Sequence, residues 1–267
     1  MKRQALEEVI DKHIGAIEKH SERLPGKFDK EDIHDLRVGY KKTRAFIRLL
    51  QMEKDSGDLH IPHKLKTEYH AAGKVRDMQL FLDELHQLPV VLQIPNSLSF
   101  YNHQLFANKE VAVSAIEDLH FTKVNTSLTN ELPKELHDDT LKKFLHQKVA
   151  AIHILLLAAD DEHDLHSIRK QLKDIIYVIR IFENDWGISF PFRGWSEKKL
   201  SDMASLLGDF NDRCLAISLL QSGYNHHDNE NEKPILQELE MKWQQEKNAQ
   251  QQQLLSSVRE LRIEHAF

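Results

Sequence analysis

The sequence predicts an all-α fold, and three observations carry that prediction. Glycine and proline are scarce, at 9 and 7 of 267 residues, while stretches rich in Leu, Ala, Glu, Lys and Gln outnumber β-branched runs. Apolar residues recur at steps of three and four along most of the chain, and no segment alternates convincingly as a strand. Motifs of the first half also return in the second in the same order, the signature of an internal duplication. Short links between neighbouring amphipathic helices favour antiparallel packing. The expected architecture is therefore two pseudosymmetric antiparallel four-helix bundles within a single domain spanning 1–267, one half covering 1–125 and the other 134–267.

The first helix is expected from Arg3 to Arg23, with Leu6, Val9, Ile10, His13, Ile14 and Ile17 on its buried face and Pro25-Gly26 ending it. Asp29 is placed to cap the second helix, with Glu31 and Asp32 in its first turn where carboxylates favour the helix dipole. That helix is expected to run to Ser56-Gly57. Pro62 starts a third, which stops before Pro89, and a fourth follows Asn96-Ser97 and ends near Phe121. The polar stretch from Thr122 to Pro133 reads as the link between halves. Four more helices are expected at Asp138 to Ala158, Glu162 to Glu183, Ser196 to Leu220 and Pro234 to His265.

Composition excludes several classes. The single Cys214 rules out an intramolecular disulfide framework and reads as a small buried residue in a reducing compartment. No signal-like segment opens the chain, and the longest apolar run, Ile154 to Ala159, is far too short to cross a bilayer. A cytoplasmic protein without membrane contact is expected. The net charge of −6 argues against general attraction to nucleic acid, so any cationic patch has to be local.

Such a patch is written at 34–48. His34, Arg37, Lys41, Arg44 and Arg48 are spaced three, four, three and four apart, so they share one stripe of a helix, beside an apolar stripe of Leu36, Tyr40, Ile47 and Leu50. His166, Arg169, Lys173 and Arg180 match His34, Arg37, Lys41 and Arg48 at a constant offset of 132 residues. Gly73-Lys-Val-Arg76-Asp77 pairs with Gly208-Asp-Phe-Asn211-Asp212 at an offset of 135. Two cationic helices of one design imply a single anion site built from two halves.

These residues resemble the CHAD family, the α-helical domain named for its recurring histidines. The matching stretches are HDLRVGYKKTR at 34–44, GKVRD at 73–77, HSIRKQLK at 166–173 and LLGDFND at 206–212. The resemblance implies two pseudosymmetric four-helix bundles with a basic central surface that binds inorganic polyphosphate, often on polyphosphate granules. This copy would be a stand-alone, non-catalytic binding module without cofactors. It departs from the family's pattern where further cations are usual, with Asp174, Ile175 and Ile176 in their place, so Arg44 has no counterpart in the second half.

Polyphosphate offers only hydrogen-bond acceptors, so its complement is a row of donors in which arginine forks grip two oxygens and lysine charges tolerate movement. Arg37, Lys41, Arg44, Arg48, Arg169, Lys173 and Arg180 are assigned to phosphate contact, with Lys42 and Lys170 on the margins and Lys74 and Arg76 extending the surface. His34 and His166 are expected to donate hydrogen bonds and to gain charge beside an anion. Asp77 and Asp212 read as groups that orient basic side chains, Gly73 and Gly208 as points of close helix approach, and Trp186, Trp195 and Trp243 as packing residues. A basic stripe is usually a solvated face, but solvated faces alternate signs at i and i+4 and this one does not.

Two rivals remain. A helical scaffold would bind an acidic protein partner over many surfaces. A metal-dependent phosphohydrolase is prompted by 17 histidines and by His-Asp pairs at 34, 137, 163 and 227. His163, Asp164 and His166 could share a metal, but neither repeated motif supplies the carboxylate cluster Mg²⁺ requires, so no metal is assigned. RNA is disfavoured because stacking aromatics do not interleave the cations. Homo-oligomers are left open.

Overall fold

The computed structural model describes residues 1–158, 161–182, 196–224 and 231–259. Trp186, Trp195, the His-Asp pair at 227 and the end of the expected last helix lie outside them. The described chain is helical as expected: α1 (Arg3–Ser21), α2 (Lys30–Leu50), α3 (His63–His86), a short 3-10 turn at Pro89–Gln93, α4 (Pro95–Glu117), α5 (Phe121–Asn130), α6 (Asp138–Ala158), α7 (Glu162–Phe182), α8 (Glu197–Tyr224) and α9 (Lys233–Arg259). An isolated antiparallel bridge between Lys2 and Glu135 is the nearest approach to a strand among the described residues.

Local chemistry sets several boundaries. Asp29 caps α2 as its sequence predicts, its Oδ1 accepting from the backbone N–H groups of Glu31 and Asp32 at 2.9 and 3.2 Å. The helix stops at Leu50, six residues short of Ser56. Beyond it Glu53 turns inward and accepts from the His137 backbone N–H at 2.8 Å, which holds the start of α6. The start of α4 is held by a residue from just before α9. Glu232, buried, accepts from the N–H groups of Asn96 and Ser97 at 2.8 and 2.7 Å and from the Ser97 hydroxyl at 2.5 Å. A carboxylate at a helix N-terminus satisfies donors that have no partner within the helix.

The 122–133 stretch is not the plain link its composition implied. Phe121, Val124 and Leu128 stand at i, i+3 and i+7 and are buried, and the α5 they define packs on α1. Its Asn and Thr residues lie around that narrow stripe; Thr126 and Thr129 donate their hydroxyls back to the carbonyls four residues earlier.

α2, α3, α8 and α7 form a closed ring, in which α2 packs on α3 and α7, and α8 packs on α7 and α3. The buried residues of α2 and α7 belong to one core that extends from Leu6 on α1 to Val258 on α9, with Phe46 and Phe182 6.4 Å apart where the two basic helices meet. A smaller core joins α3, α4, α8 and α9 around Phe81, Tyr101 and Trp243. Trp243 is thus a packing residue. A shared core fixes the two basic helices against each other because close-packed interiors resist sliding.

Candidate functional site

The ring brings the two cationic stripes face to face. Lys41 shows this most directly: burial, followed by the neighbouring charges of Arg37, Arg169, Lys173 and Arg44, pushes its ammonium down from 10.5 to about 7. Two of those neighbours come from its own helix and two from α7. Along α2, Arg37, Lys41 and Arg44 are each about one turn, ~5 Å, from the next. Lys173 on α7 is likewise lowered, by burial and then by Arg169 and Arg180.

Compensating carboxylates are few. Arg37 has one, Asp77 on α3, at 3.9 Å, while Lys41, Arg44, Arg169 and Lys173 have no ion pair among the described residues. The Nε donors of Arg44 and Arg169 are buried without a hydrogen-bond partner, as is Nη1 of Arg76. A buried guanidinium donor left unsatisfied costs on the order of 1–3 kcal/mol, which an anionic acceptor would recover. Burying these guanidinium donors and the Lys41 and Lys173 ammonium groups is therefore a cost to the fold.

The third and eighth helices shape the site's walls. A Cβ on Gly73 would overlap Nη1 of Arg37, so what the missing side chain admits is an arginine rather than a neighbouring helix. Gly208 plays the looser version, its would-be Cβ lying 3.5 Å from Nε of Arg169. Asp77 and Asp212 stand close enough that Asp212, after burial, adds to the upward shift of the Asp77 carboxyl. Both open on a crevice of about 200 Å³ between α3 and α8 that also holds Asp209 and Glu84, the latter paired with Arg213 at 2.6 Å. That acidic crevice bounds the cationic site on one side.

Aromatic residues lie beneath and beside the cations, with Tyr40 and Tyr177 buried in the core. Tyr40 stacks on Tyr69 with ring centroids 4.0 Å apart, and the Arg37 guanidinium lies 5.1 Å from the Tyr69 ring. Tyr177 lies beneath Lys173, 5.9 Å from its Nζ, and feels the charges of Arg169 and Arg44. His70 follows on α3, held below its ordinary value by burial and then by Lys66, Arg37, Arg44 and Lys74. Tyr69 and His70 reach the site from another helix, and no motif spacing connects them to the stripes. Tyr40 was legible as part of the apolar stripe of α2 and is buried in the core as that stripe implied, while Tyr177, also buried, received no sequence assignment.

Other assigned residues sit elsewhere or are already occupied. Arg48 donates to Asp174 at 2.8 Å, and Asp174, only 2% exposed, also accepts from Lys148 at 2.8 Å. Arg180 donates to Glu197 at 2.5 Å and to the Ser201 hydroxyl at 3.2 Å. Arg180 and Lys42 line a separate cavity of about 580 Å³ with Lys12, His13 and His20, and Tyr177 is a wall of that cavity too. His34, Lys74 and Lys170 are exposed. His166 meets Asn211 Oδ1 at 2.7 Å through Nδ1, and burial, followed by Lys170, holds it below its ordinary value. The gain of charge expected of it beside an anion would have to offset that burial cost.

The metal alternative gathers differently from its sequence form. Asp161, His163 and Asp164 offer ligand atoms within 4.8 Å of one another at the exposed start of α7, while His166 turns to Asn211. Asp161 there accepts from the Asp164 backbone N–H at 2.9 Å, the ordinary work of a cap. No helix among the described residues is long and apolar enough to cross a membrane.

Comparison with known proteins bears on the family and the fold. No curated protein matches the sequence. The crystal structure of the CHAD domain from the plant Ricinus communis superposes with a TM-score of 0.79, covering 98% of this chain and 93% of that one at 16% identity. At that identity the likeness speaks for the fold alone. The family model for the CHAD domain matches residues 8–221, which include both basic helices and both glycine-bearing motifs, and the chain therefore belongs to the CHAD domain family.

Proposed function

We propose that the chain is a non-catalytic binder of inorganic polyphosphate or a related polyphosphorylated anion. The observation that carries this reading is the convergence of Arg37, Lys41, Arg44, Arg169 and Lys173 from α2 and α7, with a single distant carboxylate among them. Family membership supports it. In this reading α2–α3 and α7–α8 are duplicate halves, each an arginine seated over a glycine, and the five cations are the shared site. Arg48 and Arg180, tied to Asp174 and Glu197, set the site's far ends, and Lys42, Lys74, Arg76 and Lys170 add long-range attraction. In the cell the protein would lie in the cytoplasm on polyphosphate granules.

The chemistry follows from donor count. Several adjacent phosphates can each meet one cation while the chain slides, so affinity arises from many exchangeable contacts. The tyrosine hydroxyls add neutral donors, and the acidic crevice at Asp77 and Asp212 turns the polyanion away from α8.

Isothermal titration with polyphosphate of defined length, at two salt concentrations and beside an RNA of matched charge, tests the reading. The expected result is binding to polyphosphate in preference to RNA, with log K falling on log salt with a slope of about −4 for five cations. Absence of polyphosphate binding at low salt would overturn it.

A further inference from the structure

The cavity of about 580 Å³ lies between α1, α2 and α7, and none of the five converging cations lines it. Its α1 wall runs from Ala5 to His20, about 22 Å of helix, so the space is elongated. Ala5, Val9, Ala16, Val38 and Ile181 make its sides apolar. Each of the three helices also sends in one cation, Lys12 from α1, Lys42 from α2 and Arg180 from α7. A volume of this order with apolar sides and a few convergent polar groups is the form that small-molecule sites take.

The polar groups of the cavity are unevenly matched. Arg180 is held by Glu197 and Ser201, whereas Lys12 and Lys42 have neither an ion pair nor a hydrogen bond among the described residues. Two carboxylates share the space. Asp35 lies 3.7 Å from Nε2 of His20, and Glu8, one turn before Lys12, accepts from Gln4 at 3.4 Å and forms no ion pair with that lysine. His13 stands beside both lysines with its Nδ1 buried and without a partner. Burial, followed by the charges of Lys42 and Lys12, pushes its imidazole down to about 4, so lysines from two helices bear on one point of the wall.

We infer that this cavity binds a small amphipathic anion, its elongated apolar body lying along α1 and its carboxylate or phosphate head held between Lys12 and Lys42. The body removes apolar wall from water, and the head supplies acceptors to two ammonium groups that lack them. Inorganic polyphosphate has no apolar part to cover the walls, and a neutral apolar molecule leaves both lysines unanswered. The inference stands apart from the polyanion reading, since it needs none of the five cations of that site; Lys42, given a long-range part there, is a direct contact here.

The probe is anilinonaphthalene sulfonate, an amphipathic anion whose fluorescence rises in apolar surroundings, titrated into the full chain. Saturable binding is expected, displaced by decanoate and by octyl phosphate at concentrations at which octanol and inorganic phosphate have little effect. Which of the two amphiphiles displaces at the lower concentration identifies the head group, and either order supports the inference. Lys12→Ala with Lys42→Ala should weaken decanoate or octyl phosphate by about tenfold or more, the loss of at least one charged contact. Val38→Trp, which fills the cavity from its α2 wall, should remove the fluorescence; if that variant loses its helical circular dichroism, the lysine pair, which lies outside the core, decides alone. Displacement by octanol as effective as by decanoate and octyl phosphate, or unchanged affinity in the lysine variant, overturns the inference.

Discussion

The two basic helices share a design and differ in how they are balanced. Among the described residues Lys41 and Arg44 on α2 carry no ion pair, as Arg169 and Lys173 on α7 carry none, and Arg37 meets Asp77 only at 3.9 Å. On α7 the matching stripe is interrupted by Asp174, which stands 132 residues after Lys42. That carboxylate does not face the site. It is buried where α2, α6 and α7 meet, and it takes Arg48 from the first stripe and Lys148 from α6. Asp174 thus ties α2 and α6 to α7, while Arg169 and Lys173 earlier on α7 keep their place beside Lys41. One helix can carry both tasks, an earlier stretch presenting cations and a buried carboxylate between them and its end holding the fold.

Removing the anchor of each helix should have the largest effect on binding. Arg37→Ala with Arg169→Ala deletes two charge-assisted donors, each contributing roughly 1.5–3 kcal/mol, so polyphosphate affinity should fall by about a hundredfold or more. The helical circular dichroism should remain, because neither side chain belongs to the core. Retained affinity would place the ligand elsewhere.

The tie at Asp174 should appear in stability instead. Asp174→Asn leaves Arg48 and Lys148 without their shared carboxylate in a site that is 2% exposed on the acid's side. Unfolding by urea should report a loss of about 3 kcal/mol. Polyphosphate affinity should hold or rise, since two cations are released toward the ligand. A stable variant with weakened binding would reverse the assignment of roles.

A smaller difference separates the two glycines. Gly73→Ala forces Arg37 to move, so binding should weaken by about tenfold, the loss of one well-made charged contact. Gly208→Ala meets Arg169 at ordinary contact distance and should change binding little while leaving the helix intact or slightly firmer. Equal effects at the two positions would mean that the halves contribute alike.

The smallest effect is a proton. Lys41 has its folded value near 7 against 10.5 in the unfolded chain, so between these values the unfolded chain binds more protons. Stability from this group therefore rises as pH climbs from about 7 towards 10.5 and is lost as pH falls through 7. An anion reverses the preference, because it favours the ammonium. Polyphosphate binding at pH 7 should take up about half a proton at Lys41, visible as a buffer-dependent enthalpy and absent in Lys41→Met. A buffer-independent enthalpy would remove Lys41 from the contact set.

Much of the fold was legible because helices announce themselves locally. The buried stripe of α2, with Leu36, Tyr40, Ile47 and Leu50, and the cap at Asp29 needed nothing beyond their own spacing. α5 was missed because a three-residue apolar stripe is faint amid Asn and Thr. The site was legible as cation spacing, and the ring of helices does bring Arg37, Lys41, Arg44, Arg169 and Lys173 together. What sequence could not supply was the partner from elsewhere in the chain. Asp174 for Arg48, Glu197 for Arg180 and Asn211 for His166 are contacts that only the packing of α2, α7 and α8 creates. Asp174 read as a loss of basic character because its counter-charges lie 126 residues before it and 26 residues before it.

Titration of polyphosphate into the wild type, Arg37→Ala and Arg169→Ala decides whether the two helices make one site. One shared site predicts a single stoichiometry in all three proteins, with affinity reduced in both variants. Two independent half-sites would contradict the claim, and they would appear as two binding events in the wild type, each variant losing one and keeping the other at full strength.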